Sequence, residues 1–337
     1  MEQRVKTGCL NEFIANQLND STTKPKPQSY PQPQNMLKGI LLVFFGACSY
    51  GVLSTFVKFA YQDGYTLGDV TGTQAFFGAI GLWILFFIRK SLSKKTTDFI
   101  EKTPVYQLLL AGICSGCVSI FYYQSVKLVP NSIAIILLMQ FIWIGILLEY
   151  FIFKKKITRV QIFSILLVLG GTALASGIFA STLKTVNVAG IVYGLLAAVC
   201  YAGFMILNGR LGNDYRPMKK AALMVTGSCI FIFIIFPPMF LINGALTESL
   251  LKWGLLIALF GTTIPPLCYA IGVPKTGLAL SSILSAAELP VAVLLSALFL
   301  HEHVSVVRWF GVAIILSAIA ISNIKQLLGR RRRIENV

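Results

Sequence analysis

The sequence predicts an all-α integral membrane protein, with ten transmembrane helices arranged as two inverted five-helix repeats. Three observations carry this. The chain of 337 residues is 56% hydrophobic and 12% charged, with mean hydropathy +0.75. A soluble domain holds about 25% charged residues, so this chain has too few charges to cover a soluble surface. Ten runs are each long and apolar enough to span a bilayer core, which takes about 20 residues. Similar pieces also recur about 150 residues apart, an offset of five runs.

The runs fall at about 38–59, 70–88, 105–125, 131–150, 160–179, 188–208, 221–241, 250–270, 279–299 and 307–324. Short turns at Lys127–Pro130 and Pro274–Lys275 separate two adjacent pairs. Residues 1–36 are polar and hold Pro25, Pro27, Pro31 and Pro33 close together, which predicts a disordered cytoplasmic extension. No early apolar run of signal-peptide type is present, so no cleaved leader is expected. The expected organisation is therefore an extension over 1–36, a first repeat over 37–180, a second over 187–325, and a basic cytoplasmic tail over 326–337.

Net charge is +16, which in a soluble chain would suggest nucleic acid. The positions of the cations exclude that reading. With ten spans both termini share one side. The loops and ends on that side hold 24 of the 29 Lys and Arg residues, against one each at the five opposite ends: Lys58, Lys127, Lys184, Lys252 and Arg308. The positive-inside rule then places both termini in the cytoplasm. The charge records topology, and no nucleic-acid partner is expected.

The repeat shows at two places. Phe153–Thr172 and Leu300–Ile319 share a polar turn, a small hydroxyl residue (Thr158, Ser305) and a small-residue-rich apolar helix. Gly39 precedes Cys48-Ser49-Tyr50-Gly51 as Gly190 precedes Cys200-Tyr201-Ala202-Gly203. An odd number of spans per repeat inverts the second copy, the build of many secondary carriers, whose solute site lies near the midplane between repeats. Glycine pairs at four-residue spacing (Gly68/Gly72, Gly112/Gly116, Gly190/Gly194) suit close helix packing in lipid.

The segment 274–321 resembles the last two spans of EamA-type carriers of the drug/metabolite transporter superfamily. The matching pieces are Glu288-Leu289-Pro290 interrupting an apolar span, the turn His301-Glu302-His303, and Gly311 in the final helix. Tyr50-Gly51 with Lys58, and Tyr123 with Val129-Pro130-Asn131-Ser132, are similar to that family's first span and its third-to-fourth turn. The resemblance extends over about residues 37–325. It implies a carrier of two inverted five-helix repeats that moves a small organic solute across a bacterial inner membrane. Two departures stand: Lys154-Lys155-Lys156 replaces a turn where the family often has Glu, and no proline near Trp143 matches Pro290.

Polar residues at membrane depth are costly and usually face a cavity or a partner. Glu288 lies near the middle of the ninth run, two residues before Pro290. It reads either as a cavity carboxylate that binds a cationic group or titrates during transport, or as a protonated or paired group that fixes packing. Proline removes a backbone donor and frees a carbonyl four residues earlier, so backbone near Pro290 is expected to be open to ligand. Gln140 at mid-depth and Gln74 just inside the second run are further solute-contact candidates, with interhelical bonding and an interfacial position as their alternatives. Tyr50 and Tyr201 occupy corresponding places and offer a flat face with one hydroxyl; Trp143 is a weaker candidate. Lys58 opposes the charge bias. It reads as a snorkelling side chain, a partner of Asp63 or Asp69, or a gating charge that guides an anionic solute.

No metal site is expected. Cys114-Ser-Gly-Cys117 lies in an apolar helix without a second pair, and His301 and His303 lack zinc-site spacing. No Walker-type loop, gathered acid–base groups or filter motif supports ATP hydrolysis, enzyme chemistry or a channel. The expected function is a non-enzymatic secondary transporter without a cofactor, coupled to a proton or other ion gradient if coupled at all. Its expected solute is an amino acid or related metabolite, and its partners are the lipid bilayer and that solute, the chain being a monomer or homodimer. The competing reading is a proton-coupled multidrug or cation exporter. Small exporters of that kind place a carboxylate in the first span, and residues 37–57 have none.

Overall fold

A computed structural model describes residues 33–92, 101–129, 131–154, 157–176, 187–242, 244, 246, 249–299 and 304–335. The described residues form helices and turns, with no strand among them. In chain order the helices are α1 (Pro33–Gln62), α2 (Leu67–Leu92), α3 (Val105–Leu128), α4 (Asn131–Met139), α5 (Phe141–Phe153), α6 (Arg159–Ala175), α7 (Val188–Arg210), α8 (Pro217–Ile235), α9 (Leu250–Ile257), α10 (Ile264–Thr276), α11 (Leu278–Ser285), α12 (Glu288–Phe299) and α13 (Val306–Glu335). A 3-10 turn at Met239–Leu241 follows α8, and a π-turn at Ala258–Thr263 joins α9 to α10.

Eight of the expected spans are long and apolar enough to cross a membrane among the described residues. The fifth and tenth, Arg159–Ala175 and Val306–Ser322, are shorter apolar helices. At 1.5 Å per residue, the 17 residues of α6 reach about 25 Å, short of a full hydrocarbon core of about 30 Å. The polar extension expected at 1–36 falls outside the described residues up to residue 32, and α1 begins at Pro33. Through the segment expected as a basic tail, α13 runs on to Glu335. Arginines are good helix formers, and cations at a helix C-terminus complement its dipole.

Local chemistry sets the helix ends. Thr66 and Asp69 bond reciprocally at the start of α2. Thr158 and Gln161 form a full capping box on α6, the polar turn that the repeat pattern marked. Asn187 caps α7 through the Ala189 N–H, and Pro217 opens α8, where a missing N–H costs nothing. Between α10 and α11 the chain turns at Gly277 with φ +82°, a conformation in which glycine carries no steric penalty.

Three helix pairings run antiparallel. Along α1, Gly39 backs onto Gly272, the Ser49 hydroxyl donates to the Phe260 carbonyl at 2.7 Å, and Asp63 meets Trp253. Along α3, Thr103 lies against Asp214 after α7, and Leu128 lies against Gly190 at its start. Helices α2 and α8 also run oppositely, with Gly68 near Phe236 and Trp83 donating to Thr226. These pairings repeat when the first five segments are exchanged for the second five. α1 packs on α9–α10 and on α11–α12, as α7 packs on α3 and on α4–α5, while α2–α8 and α6–α13 map onto themselves. Large apolar side chains such as Phe45, Phe87, Phe151, Leu166, Ile234 and Phe310 stay exposed around the bundle, as a lipid-facing surface requires.

Two crossings depend on missing side chains. A Cβ on Gly112 would strike the Met224 carbonyl, and one on Gly227 the Leu109 carbonyl. Helices α3 and α8 therefore touch backbone to backbone. Gly171 and Gly311 do the same for α6 and α13. Lys220 also differs from its expected place in a polar loop. It lies inside α8 at 1% exposure, and its ammonium donates to the Asn208 carbonyl and to Asn213 Oδ1. Two backbone-fixed acceptors at the end of α7 draw the charge inward.

Candidate functional site

Both halves of the chain break a helix at matching depth. In the fourth segment the break is at Gln140, whose N–H bonds to the Leu137 carbonyl three residues back. The Ile136 carbonyl that this N–H would serve in an α-helix takes the Gln140 Nε2 instead, at 2.8 Å, and Gln140 Oε1 accepts the Trp143 indole N–H at 2.7 Å. Gln140 and Trp143 thus plug a helix break, and neither lines the cavity described below. One amide hydrogen and one acceptor site of Gln140 already serve its own helix, so this placement adds nothing to the expectation that the two residues contact solute.

In the ninth segment the break is at Ala286–Ala287, between α11 and α12. Every residue of α11 is buried. Pro290 sits in the first turn of α12, and the Ala286 carbonyl it cannot serve accepts the Leu289 N–H at 3.2 Å. The backbone expected to be open near Pro290 is therefore closed by a tighter turn. The break puts Glu288 at the start of α12, and Gly51 makes room for it: a Cβ there would meet the Glu288 carbonyl oxygen at 2.5 Å. Glycine at that point lets α1 lie directly against the turn and brings Tyr50 to the carboxylate's level.

Around this point lies a cavity of about 200 Å³. Glu288, Tyr50 and Tyr201 line it, and it runs along α1 past Ser54 to Lys58 and Tyr61 in that helix's last turn. Helices α2, α3, α4, α7, α8 and the π-turn complete the wall, so residues from both halves contribute. Among the described lining residues Glu288 is the one carboxylate and Lys58 the one cation. Of the residues singled out from sequence, the structure gathers Glu288, Tyr50, Tyr201, Gln74 and Lys58 on this wall and leaves Gln140, Trp143 and Pro290 off it.

The aromatic wall is built by contacts between the halves and within the first. Tyr50 and Tyr201 meet edge to face at 6.4 Å between centroids, a favoured ring geometry. Phe141 stacks on Tyr201 at 4.2 Å, and Tyr61 meets Tyr123 at 6.4 Å. Gln74 is held by the Tyr123 hydroxyl, which donates to its Oε1 at 3.3 Å, so its amide is oriented before any ligand arrives. The Tyr61 hydroxyl and the Thr262 Oγ1 are buried on this wall without a hydrogen-bond partner. Unpaired buried polar atoms are uncommon, and in a cavity they are the atoms a ligand or water satisfies.

Sequence reasoning passed over Tyr61 and Thr262 and ranked Tyr122, like Trp143, among the weaker candidates. Tyr61 and Tyr122 sat near run ends, where aromatic belts are expected. The signal for Thr262 was the tandem Pro265-Pro266 that follows it inside an apolar run, a pattern that must disturb a helix. Among the described residues no three of His, Cys, Asp or Glu are placed to hold a metal ion. His301–His303 lie outside the described residues.

Asp63 accepts from Trp253 Nε1 at 2.6 Å and from Ser249 Oγ at 3.1 Å, and Asp69 accepts from Thr66 Oγ1. At the other end of the bundle Asp214 accepts from the Thr103 hydroxyl and from the Thr103 and Lys102 N–H groups. Burial there raises the Asp214 carboxyl, but those donors outweigh it, and its pKa lies below the ordinary value.

Comparison with known proteins agrees with this architecture. A solved crystal structure, 14% identical in sequence, superposes with a TM-score of 0.68 over 85% of this chain and 97% of its own, which shows a shared fold. A Bacillus subtilis (strain 168) protein described as "Uncharacterized transporter YcbK" is 23% identical over 286 residues, covering 81% of this chain and 88% of its own. The EamA-like transporter family matches twice, over residues 37–177 and 188–324. A helical bundle of two similar halves around a shared cavity, matched over most of its length, belongs to the EamA-like transporter family.

Proposed function

We propose that the protein is a secondary transporter that moves a small organic solute, an amino acid or related metabolite, across the inner membrane by alternating access. The observation that carries this reading is the cavity itself. It is walled by both halves, includes a carboxylate at a helix break, and lies beyond the backbone-tight crossing of α3 and α8. A site between two repeats, with a helix break at its base, is the usual build of secondary carriers.

In this reading the ten segments span the membrane as two inverted five-helix repeats. The antiparallel course of α1 against α9–α10 and of α7 against α3, and the exchange symmetry of the pairings, support it. With both termini cytoplasmic, as the cation distribution favours, the cavity extends toward the outer face, and the α3–α8 crossing closes the cytoplasmic side. Glu288 is the group for coupling to a proton or another ion gradient, and Lys58 is a charge at the mouth. The chain needs no cofactor and works as a monomer or homodimer. A second reading, proton-coupled export of organic cations, is favoured by one observation: the single lining carboxylate lies among tyrosines, whose faces attract cations.

Uptake into proteoliposomes of a metabolite panel that includes organic cations, with and without a pH gradient, tests both. Saturable flux of amino acids supports the first reading, and gradient-driven flux of cations the second. No saturable flux of any solute would sink the carrier assignment.

A further inference from the structure

The π-turn between α9 and α10 leaves a backbone acceptor open on the cavity wall. The Ile264 N–H is committed to the Leu259 carbonyl, five residues back. The next two residues, Pro265 and Pro266, have no N–H. In π register they would have served Phe260 and Gly261. The Phe260 carbonyl is satisfied from another helix, by the Ser49 hydroxyl at 2.7 Å. No backbone donor remains for Gly261: residues 265 and 266, which reach it in α and π register, are both proline, and Ile264 is taken.

Gly261 lines the cavity, and so does its neighbour Thr262, whose Oγ1 is buried and unpartnered. Glu288 lines the same cavity. Gln74 Nε2 and Leu53 lie against Gly261, Ser49 against Phe260, and Gly51, on another face of α1, against the Glu288 backbone carbonyl. One stretch of α1 thus has the π-turn on one flank and the start of α12 on another. The Gly261 carbonyl is an acceptor only, as the Glu288 carboxylate is when ionised, and Thr262 can accept as well. A solute that satisfies such a wall brings positive charge and N–H donors.

We propose that this π-turn is a second recognition element of the cavity, and that the solute it takes is an organic ammonium ion bearing N–H groups. Its charge faces Glu288 while its N–H groups bond the Gly261 carbonyl and Thr262 Oγ1. The proposal rests on the cavity being the solute site, as the carrier reading has it. A fully alkylated ammonium keeps the attraction to Glu288 and to the tyrosine faces but loses every bond to the π-turn.

The test uses phenethylamine and its N,N,N-trimethyl analogue as probes, titrated calorimetrically into the full chain in nanodiscs. Phenethylamine is expected to bind at least about tenfold more tightly, the worth of one charge-assisted hydrogen bond. Pro266→Ala returns an N–H to the turn and engages the free acceptor, so it should erase most of that preference. Thr262→Val, which leaves the backbone alone, should narrow it by a smaller factor. The proposal is overturned if the trimethyl probe binds equally well or better. It is also overturned if neither probe binds up to about 10 mM, a Kd too weak for a recognition site, or if both variants elute as folded protein and keep the full preference. None of these outcomes touches the carrier reading, which stands or falls on flux.

Discussion

Asp63 and Asp214, about 150 residues apart, do the same work at opposite ends of the bundle. Asp63, in the turn after α1, accepts from Ser249 and Trp253 at the start of α9. Asp214, in the turn after α7, accepts from Lys102 and Thr103 just before α3. A tyrosine seconds each: Tyr65 pairs with the Ser249 hydroxyl at 2.8 Å, and Tyr215 donates to the Thr103 carbonyl at 2.8 Å. The two halves thus share their turn chemistry as well as their helix order.

The Asp214 clasp should make stability depend on pH. Its carboxyl is held below the ordinary value, so the folded state binds its proton less readily than the unfolded chain does. The stabilisation is complete above the ordinary carboxylate range and fades as pH falls through the depressed value. Thermal melts of wild type and Asp214→Ala from neutral pH to about pH 3 should start apart by about 1–2 kcal/mol and converge at the acid end. Curves that stay parallel would show that the clasp does not titrate.

Gly227→Ala should cost about 1–3 kcal/mol, because the new methyl meets the Leu109 carbonyl, which cannot move without its helix. Gly170 is the control: a Cβ there meets nothing within 4 Å. Gly170→Ala should be neutral or add up to about 1 kcal/mol from helix propensity. Melting temperatures in detergent compare the two, and equal behaviour would refute the tight crossing of α3 and α8.

Glu288→Gln removes the one described carboxylate on the cavity wall while keeping its shape. Solute flux in proteoliposomes should lose its pH dependence, and its maximal rate should fall at least about tenfold, the loss of one charged contact. Unchanged flux at every pH would remove Glu288 from the mechanism.

Gln140→Leu should destabilise the fold by about 1–3 kcal/mol, since it leaves the Ile136 carbonyl and the Trp143 indole unserved. The Michaelis constant for solute should stay within about twofold, as a side chain outside the contact set predicts. A large change there, with stability intact, would return Gln140 to the solute site.

How legible each feature was in sequence follows from the range of the forces involved. Glu288 and the pair Tyr50 and Tyr201 could be picked out because a carboxylate or a repeated aromatic in an apolar run is conspicuous without any neighbour. Gln140 was equally conspicuous, but its bonding partners were not legible. Its partners are the Ile136 carbonyl and Trp143, four residues before and three after, and only a helix break at that point frees the carbonyl. Lys220 looked like a loop cation because its two acceptors, Asn208 and Asn213, become convergent only when α7 ends beside α8.

By itself the sequence determined the membrane class, the apolar runs, the repeat and the bias of its cations, since burial in lipid is read from composition and period along one chain. Which polar groups share a cavity was decided by packing between helices far apart in sequence. Ser49 reaches Phe260 across 211 residues, Gly51 admits Glu288, and the tandem prolines open a carbonyl that matters only because α1 lies beside it and Glu288 lines the same cavity. Contacts of that kind depend on backbone approach in three dimensions, and no local pattern encodes it.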